Sequence, residues 1–182
     1  MSPGNTSATM DMAPPRSGLG KAGLFVLVIA IVVPLDMLTK GWITQNIALY
    51  RPVPVIGDFF RITYTHNPGA AFGINIGEHS RIFFLLLSLV ALVVLGLIYR
   101  STPITDRLRL LAVSLVSGGA IGNIIDRIRY EQGVVDFLDV GIGSTRWPVF
   151  NVADMAVSTG AVLLLVSFYL EGRRESSAED TG

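Results

Sequence analysis

The sequence predicts an all-α membrane protein built on four transmembrane helices. Three observations carry this. Only 15% of the 182 residues are charged and 51% are hydrophobic, against about 25% charged in ordinary soluble domains. Four apolar runs each approach the ~20 residues a helix needs to cross the hydrocarbon layer. The polar residues that interrupt these runs gather near their ends.

Residues 1–20, rich in Ser, Gly, Pro and Thr, read as a disordered tail. The first apolar run covers 22–43 and continues past Asp36 with no small-x-small cleavage site, so it reads as a retained span and not as a removable signal peptide. The second, about 82–99, is uncharged between Arg81 and Arg100. The third, about 108–126, is diluted by glycines, and Gly118 and Gly122 have the spacing that lets helices approach closely. The fourth covers 150–170. Residues 21–171 thus form one four-helix domain, and 172–182 a polar C-terminal tail. Between spans, "FFRITYT" within 45–80 reads as a short strand bounded by turn residues.

Composition excludes several chemistries. There is no cysteine, hence no disulfide, thiolate metal site or cysteine nucleophile. His66 and His79 are the only histidines, too few for a histidine-rich zinc site. Formal net charge is zero, which gives no basic face for nucleic acid. Basic residues divide seven to seven across the membrane. Arg100, Arg107 and Arg109 crowd the short link between spans two and three, which places both termini in the cytoplasm by the weight of short loops.

Four antiparallel spans bring the end of span one, the end of span three and the start of span four to one membrane face. Asp36 and Lys40 lie at the first of these ends, Asn123, Asp126 and Arg127 at the second, and Asn151 and Asp154 at the third. Asn67 and Asp136 sit on connections that emerge on the same side. Asp154 is about 6 Å along its helix from Phe150, just below the interface. A carboxylate there is a functional candidate or an interfacial residue paired with Arg127. Asp36 and Lys40 are spaced to pair across one helical turn, Asp126 and Arg127 could form an ion pair, and Asn67-Pro68-Gly69 is a turn signal. Asp136 and Asp139 are equivalent by local chemistry. Two carboxylates sharing a site hold one proton between them, and such a pair can activate water against a peptide bond. A proton relay or transporter would instead spread its carboxylates through the bilayer. A non-catalytic binding protein would need neither aspartate.

Five blocks, "DMLTK" at 36–40, "NPGAAFG" at 67–73, "GGAIGNIIDR" at 118–127, "VVDFLDV" at 134–140 and "FNVADMAV" at 150–157, resemble in order the lipoprotein signal peptidase (signal peptidase II) family. The resemblance implies an aspartic endopeptidase of the bacterial cytoplasmic membrane. It would cleave prolipoproteins before their diacylglyceryl-modified cysteine. Asp136 and Asp154 would form the catalytic dyad, supported by Asp36, Lys40, Asn67, Gly69, Asn123, Asp126, Arg127 and Asn151. The family further implies a β-cradle in 45–80, a short helix in the last connection, an active site on the outer face, and sensitivity to cyclic peptide antibiotics. It implies no metal or organic cofactor. Membrane lipid would be a partner, nucleic acid would not, and a monomer could hold every site residue.

Overall fold

The computed structural model describes residues 20–69 and 77–179. The tail at 1–19 and most of the "NPGAAFG" block lie outside them. Four helices follow the four apolar runs: α1 (Lys21–Asn46), α2 (Ser80–Ser101), α3 (Arg107–Arg129) and α4 (Val152–Glu179). All four are long and apolar enough to cross a membrane. α4 does not stop at the expected boundary near 170. It continues as helix through the polar "EGRRESSAE" to Glu179.

α3 is the central helix and packs against each of the others. More than half of its apolar stretch is buried (56%), against 17%, 6% and 17% for α1, α2 and α4. The other three therefore present most of their apolar side chains outward, as a lipid-facing ring does. Small residues allow the close approach. A methyl group added to Gly119 would lie 2.3 Å from the carbonyl oxygen of Ala153 on α4. One added to Gly122 would lie 2.7 Å from an Asp36 carboxylate oxygen on α1. The glycines that weaken span three as an apolar run are the means by which α3 is clamped between its neighbours.

The connections form one antiparallel sheet of four strands, ordered β1 (Pro52–Ile56), β2 (Phe60–Asn67), β3 (Val134–Ile142) and β4 (Thr145–Arg146). The expected cradle is therefore present but larger, since half its strands come from the last connection. The short helix expected there is corrected: among the described residues, 130–151 hold β3, β4 and irregular backbone. The physical reason is pairing. β3 lies against β2 with Thr65 opposite Asp136 and Asn67 opposite Val134, and a helix would leave β2 without that partner.

Candidate active site

Asp136 and Asp154 reach the site by different routes. Asp136 is carried by β3, whose residues Phe137 and Leu138 both donate backbone N–H to Phe150 O, at 3.0 and 2.7 Å. This bridge lays β3 beside the entry to α4. Asn151 precedes the first turn of α4, and its Oδ1 accepts the backbone N–H of Asp154 at 2.8 Å. In return, the Asp154 carboxylate accepts the Asn151 N–H at 3.2 Å. The pair forms a reciprocal capping box, with Asn and Asp in the places where Ser or Thr and Glu are usual. Its geometry holds an anion at a helix N-terminus, where the dipole favours negative charge.

Asn151 also joins the two aspartates. Its fully buried amide donates to Asp136 at 2.7 Å and to Asn123 Oδ1 at 3.1 Å. Asn123 in turn donates to Asp154 at 2.8 Å. Asn67 donates to the second Asp136 oxygen at 3.0 Å. It can do so because Asn67 faces Val134 in register, so Asp136 is its diagonal neighbour on one face of the sheet. Asn67 Oδ1 accepts the Gly69 N–H at 3.0 Å, and this turn fixes the amide.

Beneath lies a charged frame. The Lys40 ammonium, 2% exposed, meets Asp36 at 2.7 Å, Asp126 at 2.8 Å and Asn123 Oδ1 at 3.1 Å. The pairing of Asp36 with Lys40 is as expected. Asp126 pairs with Lys40 and not with Arg127, because adjacent residues on a helix point in different directions. Arg127 donates to the Asn123 carbonyl oxygen at 3.2 Å and lines the same cavity as Asp154.

Asp136 is 1% exposed. Burial away from water and the nearby charge of Asp154 outweigh the Asn67 and Asn151 hydrogen bonds and the attraction of Lys40, and push its carboxyl up to about 7. Asp139 differs. Although it too is buried, hydrogen bonds from Thr63 and Arg146 and the charges of Arg146 and Arg61 hold it below the usual carboxylate range. The two aspartates that local sequence left equivalent are separated by their surroundings.

A cavity of about 610 Å³ opens beside Asp154, lined also by Asn67, Gly69, Phe84, Arg127, Trp147, Phe150 and Met155 among others. Its walls are aromatic and aliphatic above a polar floor. Trp147, Phe150, Ser158 and Thr159 were not singled out by sequence reading. Trp147 follows the β4 hairpin, whose presence had no local signal strong enough to displace the expected helix.

The sequence model of the family described as signal peptidase (SPase) II matches residues 28–170. The chain belongs to the signal peptidase II family. Curated lipoprotein signal peptidases resemble it over most of their length. That of Syntrophotalea carbinolica is 42% identical over 160 residues, covering 87% of this chain and 99% of that protein. That of Moorella thermoacetica is 44% identical, covering 77% and 89%. Two solved structures, each described as a bacterial membrane enzyme, superpose with TM-scores of 0.74 and 0.71 at 31% and 32% identity. They cover 82% and 80% of this chain, and 90% and 92% of their own. As a signal peptidase II, the protein is a multi-pass membrane protease of the aspartic class that removes signal peptides from prolipoproteins.

Proposed function

We propose that Asp136 and Asp154 are the catalytic dyad, and that the bond cut lies just before the diacylglyceryl-modified cysteine of a prolipoprotein. The observation that carries this is the Asn151 bridge, which holds a buried carboxyl and a helix-capping carboxylate in one hydrogen-bonded unit.

The two surroundings divide the labour. Asp136, up at about 7, supplies the proton that hydrogen-bonds the scissile carbonyl. Asp154 carries the negative charge and takes a proton from the attacking water, whose oxygen bonds to the carbonyl carbon. As the tetrahedral intermediate collapses, the C–N bond breaks and the leaving nitrogen takes the proton held by Asp154. This is the logic of a shared-proton carboxyl pair. Asn67, Asn123 and Asn151 hold the carboxyl groups in place, Arg127 faces the substrate from the cavity wall, and Asp36, Lys40 and Asp126 hold the frame below. Gly69 keeps the cavity rim open, since its backbone has φ +126° and a side chain there would strike the Phe84 ring.

The apolar cavity walls suit a lipid-bearing substrate, with Phe84, Met155 and Trp147 against the acyl chains or signal helix. Both termini lie in the cytoplasm and the dyad near the outer face, where the lipidated cysteine is held. A monomer contains every group named. Cyclic peptide antibiotics would inhibit by occupying the same cavity.

The test is cleavage by purified protein of a diacylglyceryl-modified prolipoprotein and of its unlipidated form. Cutting before the lipidated cysteine, lost in folded Asp136→Asn and Asp154→Asn, is the expected result. Cutting that survives in either variant would reject this dyad.

A further inference from the structure

α2 and α4 both lean on α3 and have little contact with each other. The cavity beside Asp154 lies between them: Phe84 lines it from α2, and Met155, Val157, Ser158 and Thr159 from α4. Only 6% and 17% of the apolar stretches of these two helices are buried, so the gap is flanked by lipid-facing surfaces.

Several hydroxyls of the spans are satisfied within their own helix. Ser88 donates to Phe84 O at 2.7 Å, Thr39 to Leu35 O at 2.8 Å and Ser114 to Leu110 O at 2.6 Å, a common arrangement for a helical hydroxyl. Ser158 and Thr159 are exposed, line the cavity and make no hydrogen bond among the described residues. Ser158, four residues after Asp154, shares its helix face and lies about 6 Å farther along α4, into the hydrocarbon layer. Thr159 is turned about 100° from that line. Met155 and Val157, which line the same stretch, are apolar. Ser158 is thus the hydroxyl donor directly beneath Asp154.

A signal peptide must lose helix to be cut. In a helix each carbonyl is bonded to the N–H four residues on, and a helix end leaves its last carbonyls without partners. When the segment around the cleavage site is drawn out onto the dyad, the orphaned carbonyls lie on its signal side, below Asp154. There is no bulk water there, and an unpaired backbone group is costly. An extended chain rises about 3.3 Å per residue, so the ~6 Å from Asp154 to Ser158 spans about two residues. We propose that the Ser158 hydroxyl donates to the substrate carbonyl two residues before the scissile one, and so holds the signal segment unwound at the dyad. Successive carbonyls of an extended chain point to opposite sides, so the carbonyl between these two faces away from Ser158. The contact presupposes Asp136 and Asp154 as the dyad.

The test uses the full chain in detergent and synthetic diacylglyceryl lipopeptides that span the signal helix and the cleavage site. One has a normal backbone, one a thioamide (a weaker hydrogen-bond acceptor) at the proposed carbonyl, and one a thioamide at the carbonyl between it and the scissile one. On the normal substrate, Ser158→Ala should lower kcat/KM roughly tenfold, as loss of the partner of one buried acceptor does, with the unfolding midpoint unchanged. Ser158→Thr keeps the hydroxyl and should keep most of the activity. Ser101→Ala, whose hydroxyl bonds Ile98 O at 3.0 Å at the other end of α2, should change nothing. The thioamide at the proposed carbonyl should slow the wild type by a similar factor and slow Ser158→Ala little further, whereas the neighbouring thioamide should slow both proteins alike. Additive losses at the proposed carbonyl, or equal coupling at both positions, would overturn the contact. Asp154→Asn is run alongside. Cleavage surviving in it rejects the dyad, whereas additive losses with an inactive Asp154→Asn reject the Ser158 contact alone.

Discussion

The buried carboxylate of Asp126 accepts the backbone N–H of Val135 at 3.1 Å, one residue before Asp136. Asp36 does the same for Ala153 at 2.9 Å, one residue before Asp154. Both carboxylates meet on the Lys40 ammonium. The two proposed catalytic aspartates are thus suspended from one buried cation, each through the backbone N–H of the residue before it.

Replacing Lys40 with Met should therefore cost both stability and rate. Removing one member of a buried ion cluster leaves uncompensated charge and costs about 3–5 kcal/mol. Thermal unfolding in detergent should show a lower midpoint for Lys40→Met. Among molecules that remain folded, kcat should fall more than KM changes, because the cavity wall is untouched while the dyad loses its fixed spacing. An unchanged midpoint and kcat would remove Lys40 from the frame.

Asp136 makes a pH prediction. Its carboxyl is pushed up to about 7 by burial and by the charge of Asp154. The protonated form, which the mechanism requires, is populated below that value and lost above it. Activity should accordingly decline as pH rises through about 7. The stability contributed by its proton has the same sign: fully present below the ordinary carboxylate range, lost as pH rises through about 7. Infrared spectra of the protein should show a carboxylic C=O band that disappears on this titration. In Asp154→Asn the neighbouring charge is gone, so the midpoint of the band should move down. A band that titrates at the same pH in both proteins would contradict the coupling.

The four helices were readable because each follows a local run of apolar residues, and so was the Asp36–Lys40 pair, one turn apart on a single helix. The second partner of Lys40 was not, because Asp126 reaches it from another helix and no local spacing encodes that meeting. β3 was hidden for a similar reason. "VVDFLDV" is rich in β-branched and aromatic residues, yet its strand character depends on β2, which pairs Asn67 with Val134 across two intervening helices. The capping box at Asn151 and Asp154 was half visible: three-residue spacing put both on one face, but their reciprocal bonds depend on where α4 begins. The ion pair of Arg109 with Glu171, at 2.8 Å, joins residues 62 apart, and sequence reading took that end of the bundle as the arginines of the short link and a polar tail.

Gly119 gives a packing prediction. Gly119→Ala would drive a methyl into the Ala153 carbonyl oxygen and the Val157 side chain, both on the first turns of α4. Overpacking of this kind typically costs about 1–3 kcal/mol. Here it would also displace Asp154, so cleavage should fall along with the unfolding midpoint. Gly96→Ala on α2 is the control, since a methyl there meets nothing within 4 Å. The two variants should separate clearly by thermal unfolding in the same detergent.

The sharpest discrimination is between Asp136 and Asp139, three residues apart on β3. Asp139 is engaged by Thr63 at 2.7 Å, by Arg146 through its side chain and by Arg61 at 3.6 Å. It pins β4 and the β2 side of the sheet together, and through Arg146 it steadies Trp147 at the cavity wall. Asp139→Asn keeps a hydrogen-bonding group of the same shape but loses its charge against two arginines. Both arginines are partly exposed, so the stability loss should be modest, on the order of 1 kcal/mol. Any effect on cleavage should fall mainly on KM. Asp136→Asn removes the ionisable proton from the bond-breaking step and should lower kcat by roughly a thousandfold or more, as loss of a reacting group does. Measuring kcat and KM for both variants on one lipidated substrate decides the assignment. If Asp139→Asn were the one to lose kcat, the dyad would have to be redrawn around it, with the Thr63 and Arg146 hydrogen bonds reinterpreted as part of the chemistry.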